Sequence, residues 1–310
     1  MTMRIAIIGY GAVAEIHARQ LAARPEIALA SVFGPKLEKA AAFAVAHGIA
    51  NPTDDFGKAI ALADAAIIGS PSPLHFTQAA TCIEAGVHAL VELPPCETAD
   101  EAARLAESAR RRNRVVMCAH TSRFLSPYIQ IKRLIATGAL GEIQQVSYLR
   151  HIVPRQQGER SWTDDALLHH AAHPLDLLLD WFGELTPIGC VALPQARSAQ
   201  NVSLLAALPN GAPVSISVSY ASRLPQSRML IVGERHTVET DGFSFLSSDD
   251  ERARFTCDAQ STYERAIGNQ DATFVAACGN QLDEAGGVAW NETLKLMRLV
   301  NQIQSLAETR

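Results

Sequence analysis

The first part of the fold is decided by residues 4–14, which are Arg-Ile-Ala-Ile-Ile-Gly-Tyr-Gly-Ala-Val-Ala. A short apolar run meets a glycine turn, and the residues after the turn have the pattern of a helix. Gly9 permits the tight turn, Gly11 lets the backbone approach a pyrophosphate, and Ala14 is small enough for close helix–strand packing. The stretch therefore predicts a strand–turn–helix unit that binds a dinucleotide, with amides of the first helical turn facing the phosphates. The residues expected to contact the cofactor here are Gly9, Gly11, Ala12 and Val13.

Strand and helix patterns alternate over the first 120 residues. Apolar runs at 28–33, 65–69, 88–92 and 115–119 are separated by stretches with helical periodicity. This alternation predicts the α/β class, with a doubly wound parallel sheet of the Rossmann type. We place this NAD(P)-binding domain at residues 1–121.

The end of the second strand indicates which nucleotide is bound. A cofactor with a free ribose 2′-hydroxyl usually meets an acid there, but this chain has Gly34, Pro35 and Lys36. Lys36 could instead accept a 2′-phosphate, so we predict NADP as the cofactor. NAD is the alternative, with Lys36 solvated and Glu38 binding the ribose.

Polar residues follow the next two predicted strands. Because open α/β sheets bind ligands outside the carboxyl ends of their strands, these positions are expected to face the cofactor. The residues predicted to bind it there are Ser70, Pro71, His75 and Glu92.

After residue 121 the pattern changes. Val214, Ile216 and Val218 alternate with serines, and the dipeptides Asn210-Gly211 and Asp241-Gly242 are hairpin signals. The pattern predicts a second, α+β domain over residues 122–310, with a largely antiparallel open sheet and a final helix. A sheet face rich in hydroxyl groups is often a subunit contact, although plain solvent exposure is equally allowed. A homodimer or higher homo-oligomer is expected.

Three of the ten histidines lie within residues 169–173. On a helix, His169, His173 and Asp176 would share one face, at spacings i, i+4 and i+7. Imidazoles packed in this way can pass protons or bind an anion near neutral pH. The alternative is a buried helix whose histidines only bond backbone carbonyls. A metal site is a further alternative, but no thiol or glutamate lies at a matching spacing, so we predict no metal.

Composition excludes several classes of protein. The net charge of −5 and the pI of about 6.1 give no electrostatic footprint for nucleic acid. No apolar run is long enough to span a membrane, and no signal peptide is evident. The six scattered cysteines include no C-x-x-C pair, which is typical of buried thiols in a reducing compartment. We therefore expect a cytoplasmic protein that binds neither nucleic acid nor membrane.

The layout of these motifs resembles the Gfo/Idh/MocA oxidoreductases over nearly the whole chain. The resemblance implies a dehydrogenase whose cofactor lies across the first domain and whose second-domain sheet covers the substrate and makes dimer contacts. The matching motifs are the glycine turn, Ser70-Pro71 with His75, Val91 to Pro94, His120 with Arg123-Phe124, and His173 with Asp176.

Two departures from the family pattern bear on the substrate. Most members have a lysine that assists proton transfer where this chain has Leu93, and an acid where it has His169. His173 alone remains of the usual triad, which argues against a polyol, because the alcohol proton of a polyol needs a strong acceptor.

One branch of the family has similar residues at 91–94, 120–124, 160–164 and 169–173. That branch uses NADP to oxidise the cyclic hemiacetal of a ring-cleaved aromatic semialdehyde to a pyrone dicarboxylate. The resemblance implies a small dicarboxylate as substrate, and guanidinium groups match carboxylates bidentately.

The expected catalytic residues are His173, as the base or its relay, and His169 second. Arg123 is expected to bind a substrate carboxylate, unless it forms only a surface or interdomain salt bridge. The residues expected to shape the pocket are Arg160, Trp162, Thr163 and His170. Two other functions stay open: a relative acting on a sugar-like or other cyclic substrate, and a non-catalytic regulator that binds NADP.

Overall fold

The computed structural model describes residues 2–153, 165–194, 199–280 and 290–308. The predicted pocket residues Arg160, Trp162 and Thr163 lie outside these ranges. The chain forms two compact units. The first contains Met1–Thr121 and Glu264–Leu294, and the second contains Ser122–Tyr263 and Lys295–Arg310.

A parallel sheet of six strands forms the centre of the first unit. Its strands are β1 (Met3–Ile8), β2 (Ile27–Phe33), β3 (Asn51–Thr53), β4 (Ala65–Ile68), β5 (His88–Val91) and β6 (Val116–Cys118). They lie in the order β3-β2-β1-β4-β5-β6. The strand order therefore reverses between β1 and β4, and a crevice at such a switch point is where dinucleotides bind. The doubly wound parallel sheet predicted from the sequence is confirmed.

Helices connect these strands and cover the sheet. They are α1 (Ala12–Ala22), α2 (Leu37–His47), α3 (Phe56–Ala61), α4 (His75–Glu84) and α5 (Ala99–Arg112). Gly48 ends α2 in the left-handed conformation, at φ +67°, and the Thr98 side chain caps α5 by accepting from the Glu101 amide. The short elements β3 and α3 were not predicted, because three to six residues give too little periodicity to detect.

The second unit contains a mixed sheet of eight strands. They are β7 (Ile143–His151), β8 (Thr186–Leu193), β9 (Asn201–Ala207), β10 (Pro213–Ser219), β11 (Gln226–Gly233), β12 (Thr237–Thr240), β13 (Phe245–Ser248) and β14 (Phe255–Thr256). Their order is β14-β13-β12-β11-β7-β10-β9-β8, and β7 pairs with β10 in parallel while the other pairs are antiparallel. The largely antiparallel sheet is thus confirmed.

Both hairpin signals lie where the chain turns. Gly211 connects β9 and β10 at φ +86°, and Gly242 connects β12 and β13 at φ +87°. On β10 the residues Val214, Ile216 and Val218 are buried and the serines between them are not. Alternation along the strand therefore decides which face of the sheet is buried.

Four further helices complete the chain: α6 (Ser126–Ala136), α7 (Ala172–Phe182), α8 (Ala259–Asn280) and α9 (Trp290–Glu308). The sequence analysis did not predict α8, in which small and polar residues are spread around the helix. This helix begins in the second unit, and from Glu264 onward it belongs to the first unit. Phe274, Gln270 and Asp271 on it are fully buried.

The far edge of the mixed sheet carries exposed apolar side chains. Val191 and Leu193 on β8 are 58% and 65% exposed, and Leu205 on β9 is 45% exposed. The homo-oligomer expected from the sequence stays a prediction. Within the part of the chain that the structure describes, no helix has the length and apolar character that crossing a membrane requires.

Candidate nucleotide and substrate sites

The glycine turn brings the ends of β1 and β4 into close contact. Gly9 has φ +111°, and a Cβ placed on it would lie 2.6 Å from the Gly69 carbonyl oxygen. Only glycine fits there, because that φ is unfavourable for a side chain and the carbonyl is backbone that cannot move aside. Gly11 differs, since a Cβ on it would meet no protein atom within 4 Å. The space over Gly11 is thus open to a ligand.

The first turn of α1 lies directly beyond this space. Ala12 and Val13 open the helix, where backbone amides have no partner within the helix, and Ala14 is buried against the sheet. The amides and the positive end of the helix dipole suit an anion. These residues therefore fit the pyrophosphate of a nicotinamide dinucleotide, in the place that the sequence predicted.

Lys36 lies beyond the carboxyl end of β2. It is exposed and precedes α2, with an extended backbone at φ −117°. Its side chain has no ion-pair partner among the described residues. Glu38, the alternative partner for the cofactor ribose, is also exposed. The structure thus keeps a free ammonium group at the strand end where an acid would bind an unphosphorylated ribose.

His75 lies behind the ligand-binding loops. Its ring is buried, with Nδ1 2.8 Å from the Pro94 carbonyl oxygen and Nε2 2.7 Å from the Ser70 carbonyl oxygen. Both ring nitrogens thus have protein partners, so His75 joins the loops after β4 and β5 and does not offer its ring to the cofactor. Ser70 also has a protein partner, since its hydroxyl donates to Gln78, whereas Pro71 is exposed.

Glu92 follows β5 and belongs to a buried chain of charged groups. Its Oε1 is 2.9 Å from His17 Nε2, and His17 Nδ1 is 2.7 Å from Asp271 Oδ1. Burial by itself lowers the pKa of His17, but Asp271 and Glu92 outweigh it and raise the pKa to about 10. The sequence analysis did not single out His17 or Asp271, because they are 254 positions apart in the chain.

In the second unit, the histidine-rich stretch contains a π turn, Leu167–Ala171, which leads into α7. The Asp165 carboxylate begins it by accepting from the Leu167 and Leu168 amides, and the Ala171 amide donates to the Ala166 carbonyl, five positions back. A regular α-helix was predicted here. Wide turns of this kind are frequent at functional sites.

The π turn brings the three imidazoles together. The ring centroids of His169 and His170 are 4.3 Å apart, and that of His173 lies 6.2 and 6.0 Å from them. All three side chains are partly accessible. The predicted histidine cluster is therefore present, and the buried Asp176 carboxylate pairs with Arg123.

Hydrogen bonds orient two of these rings. His173 Nδ1 is 3.1 Å from Ser122 Oγ, and His170 Nδ1 is 2.7 Å from the Tyr220 hydroxyl. Burial, followed by the charges of His169, His173 and Arg150, holds the pKa of His170 far below its usual range. His170 is therefore neutral at physiological pH, and it can donate or accept a hydrogen bond but carries no charge.

Arg123 has a different role from the one that the sequence predicted. Its Nε and Nη2 donate to the two carboxylate oxygens of Asp176 at 2.8 and 2.7 Å, and its Nη1 donates to Asp180 at 3.1 Å. The side chains of Arg123 and Asp176 are only 7% and 1% exposed. Because this bidentate edge of the guanidinium is bound to Asp176, the structure does not favour Arg123 as a substrate clamp.

Arg150 is a cation that the sequence analysis missed. It lies on β7, two positions after the buried Tyr148 and hence on the same face of the sheet. Its charge acts on His170, and its guanidinium lies 5.1 Å from the Phe243 ring centroid. No carboxylate among the described residues pairs with it. The position of Arg150 within a strand pattern gave no signal of this placement.

A metal centre is the alternative role of the histidine-rich stretch. In the ranges that the structure describes, no group of three His, Cys, Asp or Glu side chains could hold a metal ion. The expectation that no metal is needed stays a prediction.

The fold and the nucleotide cradle define the class of protein, an oxidoreductase with an NAD(P)-binding Rossmann domain. A family model described as "Oxidoreductase family, NAD-binding Rossmann fold" matches residues 3–120, and a GFO/IDH/MocA C-terminal domain model matches residues 128–239. The chain belongs to the Gfo/Idh/MocA oxidoreductase family, and it is a dehydrogenase of that type.

Two curated relatives differ in what they act on. The 4-carboxy-2-hydroxymuconate-6-semialdehyde dehydrogenase of Sphingobium sp. (strain NBRC 103272 / SYK-6) is 32% identical over 228 residues, which cover 70% of this chain and 72% of the relative. The UDP-N-acetylglucosamine 3-dehydrogenase of Acidithiobacillus ferrooxidans is 30% identical over 243 residues, which cover 77% and 74%. The two relatives are thus named for different substrates, a ring-cleaved semialdehyde and a nucleotide sugar.

Solved structures with the same fold contain different nucleotides. KijD10, a 3-ketoreductase from Actinomadura kijaniata in complex with NADP, matches with a TM-score of 0.84 at 17% identity, covering 99% of this chain and 98% of that one. GenD2, from gentamicin A biosynthesis and in complex with NAD, matches with a TM-score of 0.82 at 17% identity, covering 99% and 94%. At this identity the likeness concerns the fold.

Proposed function

We propose that this chain oxidises the cyclic hemiacetal of 4-carboxy-2-hydroxymuconate-6-semialdehyde to 2-pyrone-4,6-dicarboxylate, with NADP, in the degradation of aromatic compounds. The observation that carries the proposal is the cluster of three histidines with Arg150 nearby, in a chain that has Leu93 instead of a lysine. The Sphingobium relative, named as a dehydrogenase of this semialdehyde, supports the choice.

His173 is the proposed proton acceptor. If its Nδ1–H donates to Ser122 Oγ, the lone pair of the ring is on Nε2, which can then take the hemiacetal hydroxyl proton. Loss of that proton from the hydroxyl oxygen, and of a hydride from the carbon that bears the hydroxyl, turns the hemiacetal into a lactone. NADP, when bound, would accept the hydride. An imidazole suffices as the base, because a hemiacetal hydroxyl is more acidic than a simple alcohol.

The charges around the cluster favour an anionic substrate. Arg150 is a cation without a carboxylate partner in the described part of the chain. His170 is neutral and so does not repel Arg150. Leu93, only 6% exposed, leaves an apolar side chain where most relatives have a lysine. A dicarboxylate satisfies Arg150, whereas an uncharged sugar would leave that guanidinium without a counter-ion.

The direct test is an activity assay. The purified chain is mixed with NADP and the ring-cleaved semialdehyde, and the absorbance of the reduced nucleotide is followed. Turnover of the semialdehyde supports the proposal. Turnover only of a sugar or another cyclic substrate would favour a different dehydrogenase of the family, and nucleotide binding without turnover of any candidate would favour a regulator.

Lys36→Glu tests the proposed cofactor. The variant is expected to lower the ratio of kcat/KM for NADP to that for NAD by about tenfold to a hundredfold, because the 2′-phosphate loses an ion pair and meets a like charge. Steady-state kinetics with both nucleotides measures the ratio. Lys39→Glu, on the exposed side of the same helix, is the matched control. An unchanged ratio in Lys36→Glu would remove the phosphate contact.

Arg150→Met tests the proposed substrate charge. We expect KM for the semialdehyde to rise by about tenfold to a hundredfold with a much smaller change in kcat, because a charge-assisted hydrogen bond to a carboxylate is lost. Arg228→Met on β11, whose partner is the exposed Glu239, is the control and should keep the wild-type KM. A normal KM in Arg150→Met would mean that another group binds the carboxylate.

A further inference from the structure

The hydrogen-bonded triad of Asp271, His17 and Glu92 joins three separate parts of the first unit. His17 lies on α1, Glu92 follows β5, and Asp271 lies on α8, which returns to this unit late in the sequence. His17 and Asp271 side chains are fully buried, whereas the Glu92 side chain remains 19% exposed. The triad therefore runs from the buried Asp271 to the accessible carboxylate of Glu92.

The geometry sets the number of protons. Both nitrogens of His17 face carboxylate oxygens, which accept hydrogen bonds but do not donate them when ionised. Each contact therefore needs its own proton, so the three groups together hold two protons. Burial raises the pKa of Asp271, and this effect outweighs the opposing effect of His17. The raised pKa also favours a proton at the contact between Asp271 and His17. With two protons over two carboxyl groups and one imidazole, the three groups carry one net negative charge, whether the inner proton lies on His17 or on Asp271.

That second carboxylate lies at the ligand-binding edge of the sheet. Glu92 comes directly after β5, and the structure shows no protein donor for its Oε2 among the described residues. In this fold the pyrophosphate lies at the β1 turn and the adenine ribose at the end of β2. Since β4 and β5 lie on the other side of β1, the nicotinamide half of the nucleotide falls to their carboxyl ends.

We propose that His17 and Asp271 are positioning residues for the nucleotide, which hold Glu92 ionised and oriented so that its second oxygen accepts from the ribose hydroxyls of the nicotinamide half. This inference rests on the proposed function only in requiring a nicotinamide nucleotide. Asp271 orients the His17 ring from the interior, and His17 in turn fixes Glu92. Neither residue touches the cofactor.

The test compares a whole nucleotide with half of it. Dissociation constants are measured by calorimetry, without substrate, for NADPH and for adenosine 2′,5′-bisphosphate, which lacks the nicotinamide half. His17→Asn and Asp271→Asn are each expected to weaken NADPH binding by about tenfold and to change binding of the half-nucleotide by less than about twofold. If the chain prefers NADH, the pair is NADH and ADP.

A control separates positioning from mere stabilisation. Arg19→Gln breaks a second ion pair between α1 and α8, that of Arg19 with Glu264, without touching Glu92. It should leave both affinities unchanged. Glu92→Gln keeps the shape of the side chain but removes its charge, and it should reproduce the loss seen in His17→Asn. This variant also serves if His17→Asn fails to fold.

Three results would overturn the inference. Equal losses of affinity for the whole nucleotide and for the half-nucleotide would mean that the triad only stabilises the fold. Wild-type NADPH affinity in Asp271→Asn, with a loss in Glu92→Gln, would show that Glu92 needs no positioning from the interior. If the wild-type protein bound neither nucleotide, the cofactor assignment itself would be overturned. That outcome differs from failure of the positioning role, because it is seen without any variant.

Discussion

His173→Ala is expected to lower kcat on the semialdehyde by about 10²–10⁴-fold, the usual contribution of a general base. The ring of His173 is oriented by Ser122 and lies within the cluster, so its loss removes the proposed proton acceptor without opening a cavity in the core. Nucleotide affinity should stay close to that of the wild type, because His173 belongs to the second unit and the nucleotide cradle to the first. Steady-state kinetics and nucleotide titration measure the two quantities separately.

His236→Ala is the matched control for this variant. His236 lies between β11 and β12, and its side chain is 37% exposed and pairs with Asp249. We expect its replacement to leave kcat unchanged. A wild-type kcat in His173→Ala would remove this residue from the mechanism, and His169 would then be the next histidine to replace.

Arg123→Met is expected to lower the free energy of unfolding by about 3–5 kcal/mol, as happens when one partner of a buried ion pair is removed. The substitution leaves the Asp176 carboxylate, which is 1% exposed, without its bidentate cation. Asp180 is less affected, because Lys132 lies 2.8 Å from it. Urea denaturation measures the change, and the slope of the transition should stay constant.

Two comparisons make this result specific. Arg123→Met with Asp176→Leu should recover much of the stability, since no unpaired charge then stays buried. Asp64→Asn, which breaks the exposed pair with Arg4, should cost less than about 1 kcal/mol. Normal stability with a raised KM for the semialdehyde would restore Arg123 to the role of a substrate clamp.

Prediction from sequence succeeded where a local pattern carries the physical cause. The close contact at Gly9 needs a residue without a side chain, and the same residue marks the turn in the sequence. Alternation on β10 and the turn at Asn210-Gly211 likewise depend on neighbouring residues alone. The parallel sheet of the first unit and the hairpins of the second could therefore be predicted.

The candidate sites were predicted less completely, because their decisive contacts join distant residues. Arg123 has the chemistry to bind a substrate carboxylate, but its guanidinium is already paired with Asp176. Arg150 has no local signal, and only the pairing of β7 with β10 places it beside Val218. The π turn also escaped prediction, since its sequence fits a regular helix equally well.

Local sequence patterns are enough to predict the nucleotide-binding turn, the alternating strands and helices, the family, and the presence of three histidines in one short stretch. Each of these depends on residues close together in the chain, where steric and hydrogen-bonding preferences act locally. Three contacts depend instead on how the chain packs: Arg123 pairs with Asp176, Arg150 acts on His170, and α8 brings Asp271 against His17. These contacts join residues that are distant in the chain. Because an unpaired charge is costly to bury, each buried charged group pairs with the partner that packing places beside it.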